Sequence, residues 1–331
     1  MFNWQSTLFK RVIIGLAILG VIAVVFAFRL LTVFIFDVFV IVIAWFACYE
    51  IMKARKMEDK GVRDFYLYPF ITLAYLLFLL GILIETPFTF WLHVILQIVL
   101  VFILCVYVYF MALTDKTFEK QCKLKKIDHK KESWRVVVRY LGILLYPAFL
   151  VFTLIPLNHM GRWAEVTLEG QALPEAVTQL GLLALLLVFG ISMMSDTFAY
   201  CVGRVVKGKK LCPNISPNKT VSGAIAGLFG GVIAALIITM IMSTNDHVQQ
   251  FLTDTIGYAS SVIWVMILIG LLGSALTQIG DIYASMIKRR NDIKDFGKFM
   301  PGHGGMMDRI DGLIFNSAFI FVFFMILIAI H

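Results

Sequence analysis

Charge is scarce in this chain: 15% of its 331 residues are Asp, Glu, Lys or Arg, while 60% are hydrophobic. A soluble globular domain carries about a quarter charged residues, and with a mean hydropathy of +0.88 that class is excluded. Cysteine is equally thin. Cys48, Cys105, Cys122, Cys201 and Cys212 are odd in number and show no Cys-x-x-Cys spacing, which argues against a disulfide framework and against a zinc site. There is no low-complexity linker and no internal repeat. A small-residue cleavage site is also missing near the N-terminus, so the apolar run after Lys10 and Arg11 is expected to be a retained first span.

Long hydrophobic runs fill the space left by those absences. Nine segments are expected to cross a membrane as helices: 12–28, 30–49, 66–84, 88–113, 137–157, 178–195, 222–243, 260–280 and 313–330. The fold class is therefore all-α, a polytopic integral membrane protein. Of the 29 basic residues, 27 fall in alternate loops, and the intervening loops hold only Arg29 and Arg162. The net charge of +8 thus follows membrane topology rather than a nucleic-acid footprint, and no nucleic-acid partner is expected. The positive-inside rule predicts a cytoplasmic N-terminus and an exoplasmic C-terminus. The run Lys116–Lys131 has few apolar residues and is expected to attract anionic headgroups.

Chemistry concentrates in Gly280–Gly312, between the last two spans. Asp281 closes one apolar span, while Asp308 and Asp311 open the next; three residues apart, the latter two share a helical face. Carboxylates converging at helix ends suit a hard cation such as Mg²⁺, which takes oxygen ligands and often bridges to phosphates. Ser285, Lys288 and Arg289 fall at i, i+3 and i+4, a hydroxyl and two cations on one side of a helix. The loop Pro301-Gly302-His303-Gly304-Gly305 has little side-chain bulk, so its N–H groups can cradle an anion. Acids for a metal, with bases and bare N–H groups for phosphate, point to phosphoryl or nucleotidyl transfer. Taken singly, Lys288, Arg289 and Arg290 also read as topology-setting charges, and Asp308 with Arg309 as a helix-start pair.

A second constellation lies at 195–223. Asp196 sits at the end of the sixth span, and Arg204, Ser216 and Lys219 follow in a loop rich in small residues, as a triphosphate-binding surface would need.

Ser285-x-Ile287-Lys288-Arg289, Lys294-Asp295-x-Gly297 and Pro301-Gly302-His303-Gly304-Gly305-x-x-Asp308-Arg309-x-Asp311 closely resemble the signature of phosphatidate cytidylyltransferases (CDP-diacylglycerol synthases). Asp196-Thr197-x-Ala199-Tyr200 with Gly203-Arg204, and Ile215-Ser216-Pro217-x-Lys219-Thr220 with Gly223, resemble the family's other block. The chain departs from it at Ala284 (usually Glu), Met300 (usually Leu), Phe198, Asn218, Val221 and Ser222. The resemblance implies transfer of CMP from CTP to phosphatidic acid, with CDP-diacylglycerol and pyrophosphate as products. It makes Asp281 and Asp308 metal ligands and Asp311 a third ligand or an orienting group. The cation would be Mg²⁺, and a second ion, K⁺, is allowed. Lys219, Lys288, Arg289, Lys294 and Arg309 become candidates for the triphosphate and the lipid phosphate, and His303 with Gly304 and Gly305 for anion contact. Asp196, Arg204, Ser216, Ser285 and Asp295 complete the expected substrate-binding set.

The chain divides on this reading into a scaffold, 1–177, and a catalytic region, 178–331. The expected partners are CTP, phosphatidic acid and membrane lipid, and a homodimer is allowed. The expected place is a bacterial plasma membrane with the site on its cytoplasmic face. Three other readings share some of these features. A polyprenol or dolichol kinase would release CDP rather than pyrophosphate. A transporter would need paired charges at the midplane, which the eighth span with Gly270, Gly273 and Gly280 lacks. An inactive relative would explain the departures.

Overall fold

The computed structural model describes residues 20–29, 32–54, 67–83, 87–124, 126–160, 174–297 and 304–330. Every expected span overlaps a helix there. The helices that overlap the expected spans are α1 (Gly20–Arg29), α2 (Val33–Ala54), α3 (Leu67–Leu83), α4 (Pro87–Thr114), α6 (His129–Ile143), α8 (Pro174–Val206), α9 (Val221–Met242), α11 (Ala259–Arg290) and α13 (Leu313–Ile330). Between them lie the short helices α5 (Lys116–Leu124), α7 (Leu154–Asn158), α10 (Asp246–Ile256) and α12 (Met307–Ile310). By length and composition, five helices among the described residues can each cross a membrane, or six if the bent α4–α5 pair is one span. Each expected span thus overlaps a described helix, while the spanning criterion is met by five or six helices rather than nine. The expected span 137–157 lies within one of these five, His129–Asn158, which is kinked. The kink falls at Tyr146-Pro147, where Tyr146 is extended (φ −140°, ψ 109°) and proline removes a backbone donor.

By internal contact the chain forms two units, residues 1–40 with 153–331, and residues 41–152. In the second unit, Trp45 Nε1 donates to Thr72 Oγ1 (3.1 Å) and Tyr75 donates through its hydroxyl to the Ala148 carbonyl (3.0 Å). Phe152 packs edge-on against Tyr75 and Phe78.

The first unit contains the C-terminal helices, which pack closely as α8 on α9, α9 on α11 and α11 on α13. Buried Gly223, Gly227, Gly230 and Gly231 line α9, and small residues let helix backbones approach where apolar burial supplies no drive. At 1.5 Å rise per residue, the 33 residues of α8 and the 32 of α11 exceed the roughly 20 that span a bilayer. Both helices therefore run past Asp196 and Asp281, where the sequence pattern alone ended them, and carry those acids on ordered helix. Between α8 and α9 the expected loop contains a two-stranded antiparallel hairpin, β1 (Lys210–Cys212) with β2 (Ser216–Thr220). Thr220 caps α9 by accepting from Gly223 N (3.1 Å).

Arg29 differs from its expected place as a loop charge: it is fully buried. Its Nε donates to Asn158 Oδ1 (2.6 Å), Asn158 Nδ2 donates to Asp37 Oδ1 (2.9 Å), and His159 Nε2 lies 2.8 Å from Asp37 Oδ2. The four side chains tie α1 and α2 to the end of α7. Removing one partner of a buried charged cluster costs about 3–5 kcal/mol because the other charge stays buried. Asp37→Ala is therefore expected to lower the melting temperature of the detergent-solubilised protein by about 10 °C, measured by tryptophan fluorescence.

Candidate functional site

One cleft of about 230 Å³ gathers residues from four elements: Ser192, Met193 and Asp196 of α8, Lys219 of β2, Asp281 and Ser285 of α11, and Asp308, Arg309, Asp311, Gly312 and Leu313 around the start of α13. Residues more than a hundred positions apart meet here because α8 and α11 both continue past their apolar stretches. Gly312 is what lets the last element close in. A Cβ at that position would stand 2.7 Å from Asp281 Oδ1 and 2.8 Å from the Thr277 carbonyl oxygen, so a larger residue would push Asp311 away from α11.

The acids are held by cations and by backbone. Lys219 Nζ lies 3.0 Å from Asp281 Oδ2, and Lys288 Nζ 2.7 Å from Asp308 Oδ1. The second oxygen of Asp308 accepts from the N–H groups of Phe296 and Gly305, each at 2.9 Å. Asp308 therefore ties Phe296 and Gly305 to α12, and Lys288 also lies over the Phe296 ring (5.2 Å). Burial first, and then the neighbouring Asp281 carboxylate, push the Asp311 carboxyl well above the usual carboxylate range, with Lys288 opposing. Asp196, at the exposed rim, lies within electrostatic reach of Asp281, Lys219 and Arg309.

Among the described residues no three His, Cys, Asp or Glu side chains stand at closed metal-ligand spacing. The donor chemistry nevertheless fits a hard divalent cation. Asp196, Asp281, Asp308 and Asp311 all line the cleft, and an oxygen-only donor set of carboxylates suits such an ion.

The cleft brings together Asp196, Lys219, Asp281, Ser285, Asp308, Arg309 and Asp311 of the expected set, and Lys288 joins it through Asp308. Other expected residues lie elsewhere. Arg204 donates to the Tyr200 hydroxyl (3.0 Å). Arg289 donates to the Ile215 and Ile293 carbonyls, both at 3.3 Å, and so ties α11 to the hairpin. Ser216 pairs opposite Cys212 in that hairpin. Lys294 and Asp295 are exposed. Gly304 takes a positive φ of 84°, and Gly305 contributes the N–H already named. His303 lies outside the described residues. Ala284, where the resembling family usually carries Glu, is fully buried. The sequence reading missed Ser192, Met193, Gly312 and Leu313. Ser192 had a usable signal, one helical turn before Asp196.

A model of the cytidylyltransferase family matches residues 9–327. The chain is 34% identical over 138 residues to a phosphatidate cytidylyltransferase of Rickettsia conorii, covering 42% of this chain and 56% of that protein. It is 35% identical over 143 residues to the Brucella abortus biovar 1 protein of that name, covering 43% and 47%. A Rickettsia felis protein of the same name is 29% identical over 220 residues, covering 58% of this chain and 93% of that protein. The match thus spans about half the length of the first two curated relatives.

Asp308→Asn is expected to loosen the backbone it holds. Hydrogen bonds to a charged group contribute about 1.5–3 kcal/mol each, so loss of the bond to Phe296 N–H raises the open fraction of the chain around Phe296 by about tenfold or more. Limited trypsin digestion at Lys294, compared with wild type, measures that change.

Proposed function

The chain belongs to the cytidylyltransferase family, and on that premise we propose that it transfers CMP from CTP to phosphatidic acid in a membrane. The observation that carries this reading is the single cleft in which carboxylates from α8, α11 and the start of α13 meet Lys219 and Arg309. A phosphate oxygen of phosphatidic acid would form a bond to the α-phosphorus of CTP. The bond from that phosphorus to the bridging oxygen would break, and pyrophosphate would leave with the electron pair.

The nucleophile is already an anion, so no strong base is needed. The barrier is repulsion between two polyanions. Lys219 would turn its ammonium group from Asp281 to the triphosphate, and Arg309 would contact phosphate from the cleft rim. Ser285 would add a hydroxyl donor. Asp308 would hold the backbone at Phe296 and Gly305 while Lys288 neutralises it. Asp281 and Asp308, with Asp311 and Asp196 adjacent, would hold Mg²⁺. That ion, when bound, supplies charge neutralisation of the reacting phosphates. K⁺ is proposed as a second ion.

The cleft volume of about 230 Å³ is below the 300–1,000 Å³ of pockets that enclose whole drug-sized ligands. It suits phosphates and cations, which leaves the acyl chains in the bilayer and the cytosine outside. We place the cleft on the cytoplasmic face of a bacterial plasma membrane, with the N-terminus cytoplasmic and the C-terminus exoplasmic. The alternation of basic loops and the bacterial relatives support this.

The test is a detergent-micelle assay with α-labelled CTP, phosphatidic acid and Mg²⁺. Label entering lipid with an equal amount of pyrophosphate is the expected result. Release of CDP would indicate a lipid kinase, and no lipid-dependent turnover by folded protein would refute the proposal. In the same assay Lys219→Ala is expected to raise the KM for CTP by about 10- to 100-fold, the loss of one charge-assisted contact; an unchanged CTP dependence would assign Lys219 to structure alone.

A further inference from the structure

One helical turn beneath the carboxylates lies a layer of uncharged polar side chains. The helices α8 and α11, which carry Asp196 and Asp281, and α13, which begins two residues after Asp311, each contribute to this layer. Ser192 precedes Asp196 by four residues on α8, Thr277 precedes Asp281 by four on α11, and Asn316 follows Asp311 on α13. All three are buried, Ser192 at 4% exposure and the other two at 0%. Asn316 Nδ2 donates to the Val188 carbonyl (3.0 Å) and to Ser192 Oγ (3.1 Å). Ser192 Oγ lies 3.2 Å from Thr277 Oγ1, which donates to the Gly273 carbonyl (2.9 Å).

The direction of this chain is fixed. The Val188 carbonyl can only accept, so the Asn316 amide must present its nitrogen to α8. Thr277 spends its one proton on Gly273, so Ser192 donates to Thr277 and accepts from Asn316. Three helices are thereby linked by bonds that work in one arrangement only. Asn316 is also tightly seated: a Cβ at position 273 would lie 2.5 Å from its Oδ1. Apolar side chains would fill this space without the desolvation cost of buried polar groups. What the polar layer adds is a fixed spacing between α8, α11 and α13, about one turn below Asp196, Asp281 and Asp311.

We propose that Asn316, acting through Ser192 and Thr277, is a positioning residue that sets the spacing of the acids for a divalent cation. The use of that cation rests on the transferase reading; its binding does not.

The test compares wild type with Asn316→Leu and with Thr277→Val, which removes one hydroxyl at nearly constant volume. Mn²⁺ binding to the full-length protein is measured by electron paramagnetic resonance without nucleotide or lipid. The Mg²⁺ dependence and the KM for CTP are measured in the assay above, and folding is followed by thermal melting. Groups that orient metal ligands typically contribute 10- to 100-fold in affinity. The Mn²⁺ dissociation constant and the half-saturating Mg²⁺ are therefore expected to rise by about that factor in both variants. The KM for CTP at saturating Mg²⁺ should move less than about threefold, because Lys219 is untouched. A lowered melting temperature with unchanged Mn²⁺ binding would overturn the proposal, as would failure of both variants to fold or absence of Mn²⁺ binding in wild type. If wild type binds Mn²⁺ but shows no CTP-dependent turnover, the transferase reading fails while the Mn²⁺ comparison still decides the role of Asn316.

Discussion

Like charges a few ångströms apart in a partly buried cleft repel strongly, and the C-terminal helices are built so that their carboxylates meet nonetheless. Asp281 and Asp311 approach because Gly312 has no side chain to separate α13 from α11. The cost is offset locally by two ammonium groups, Lys219 on Asp281 and Lys288 on Asp308, and by the two backbone N–H groups that Asp308 accepts. Burial first, and then the Asp281 charge, raise the Asp311 carboxyl. On the proposed function, a site under this kind of tension would attract cations and, through its lysines, phosphates. That duality is what transfer between two polyanions requires.

Much of this was legible in the chain before folding. Asp308 and Asp311 declare a shared face by their spacing, and Ser285 with Lys288 does the same. The apolar runs mark the helices because a lipid-facing helix is hydrophobic all round. The same property hid other things. In α8 and α11 the pattern ends where polarity begins, yet the helices continue to Val206 and Arg290, since backbone hydrogen bonding does not depend on the bilayer. Ser192, Thr277 and Asn316 looked unremarkable because a single small polar residue in an apolar run carries no period; only tertiary contact joins them.

Long-range pairing also explains why Arg29 was misjudged. Counted along the sequence, it sits in a short connection where a lone base suggests a loop. Its partners Asn158 and Asp37 lie 129 positions onward and on the next helix, and no local pattern announces a network of that kind. The cluster brings buried polar groups together so that each finds a partner, and it anchors the first two helices of its unit without taking part in the cleft. The family match over 9–327 and the carboxylates and cations gathered in the cleft support the same proposal, transfer chemistry on phosphates.

The central claim is that the acids of the cleft hold a divalent cation against the phosphate that reacts. The most direct measurement is a metal-rescue experiment with the two diastereomers of CTP carrying sulfur on the α-phosphate. Sulfur binds Mg²⁺ poorly and thiophilic Cd²⁺ well. The account predicts that one diastereomer is transferred slowly with Mg²⁺ and regains its rate when Cd²⁺ is added. Equal slowing of both diastereomers, unrelieved by Cd²⁺, would contradict it.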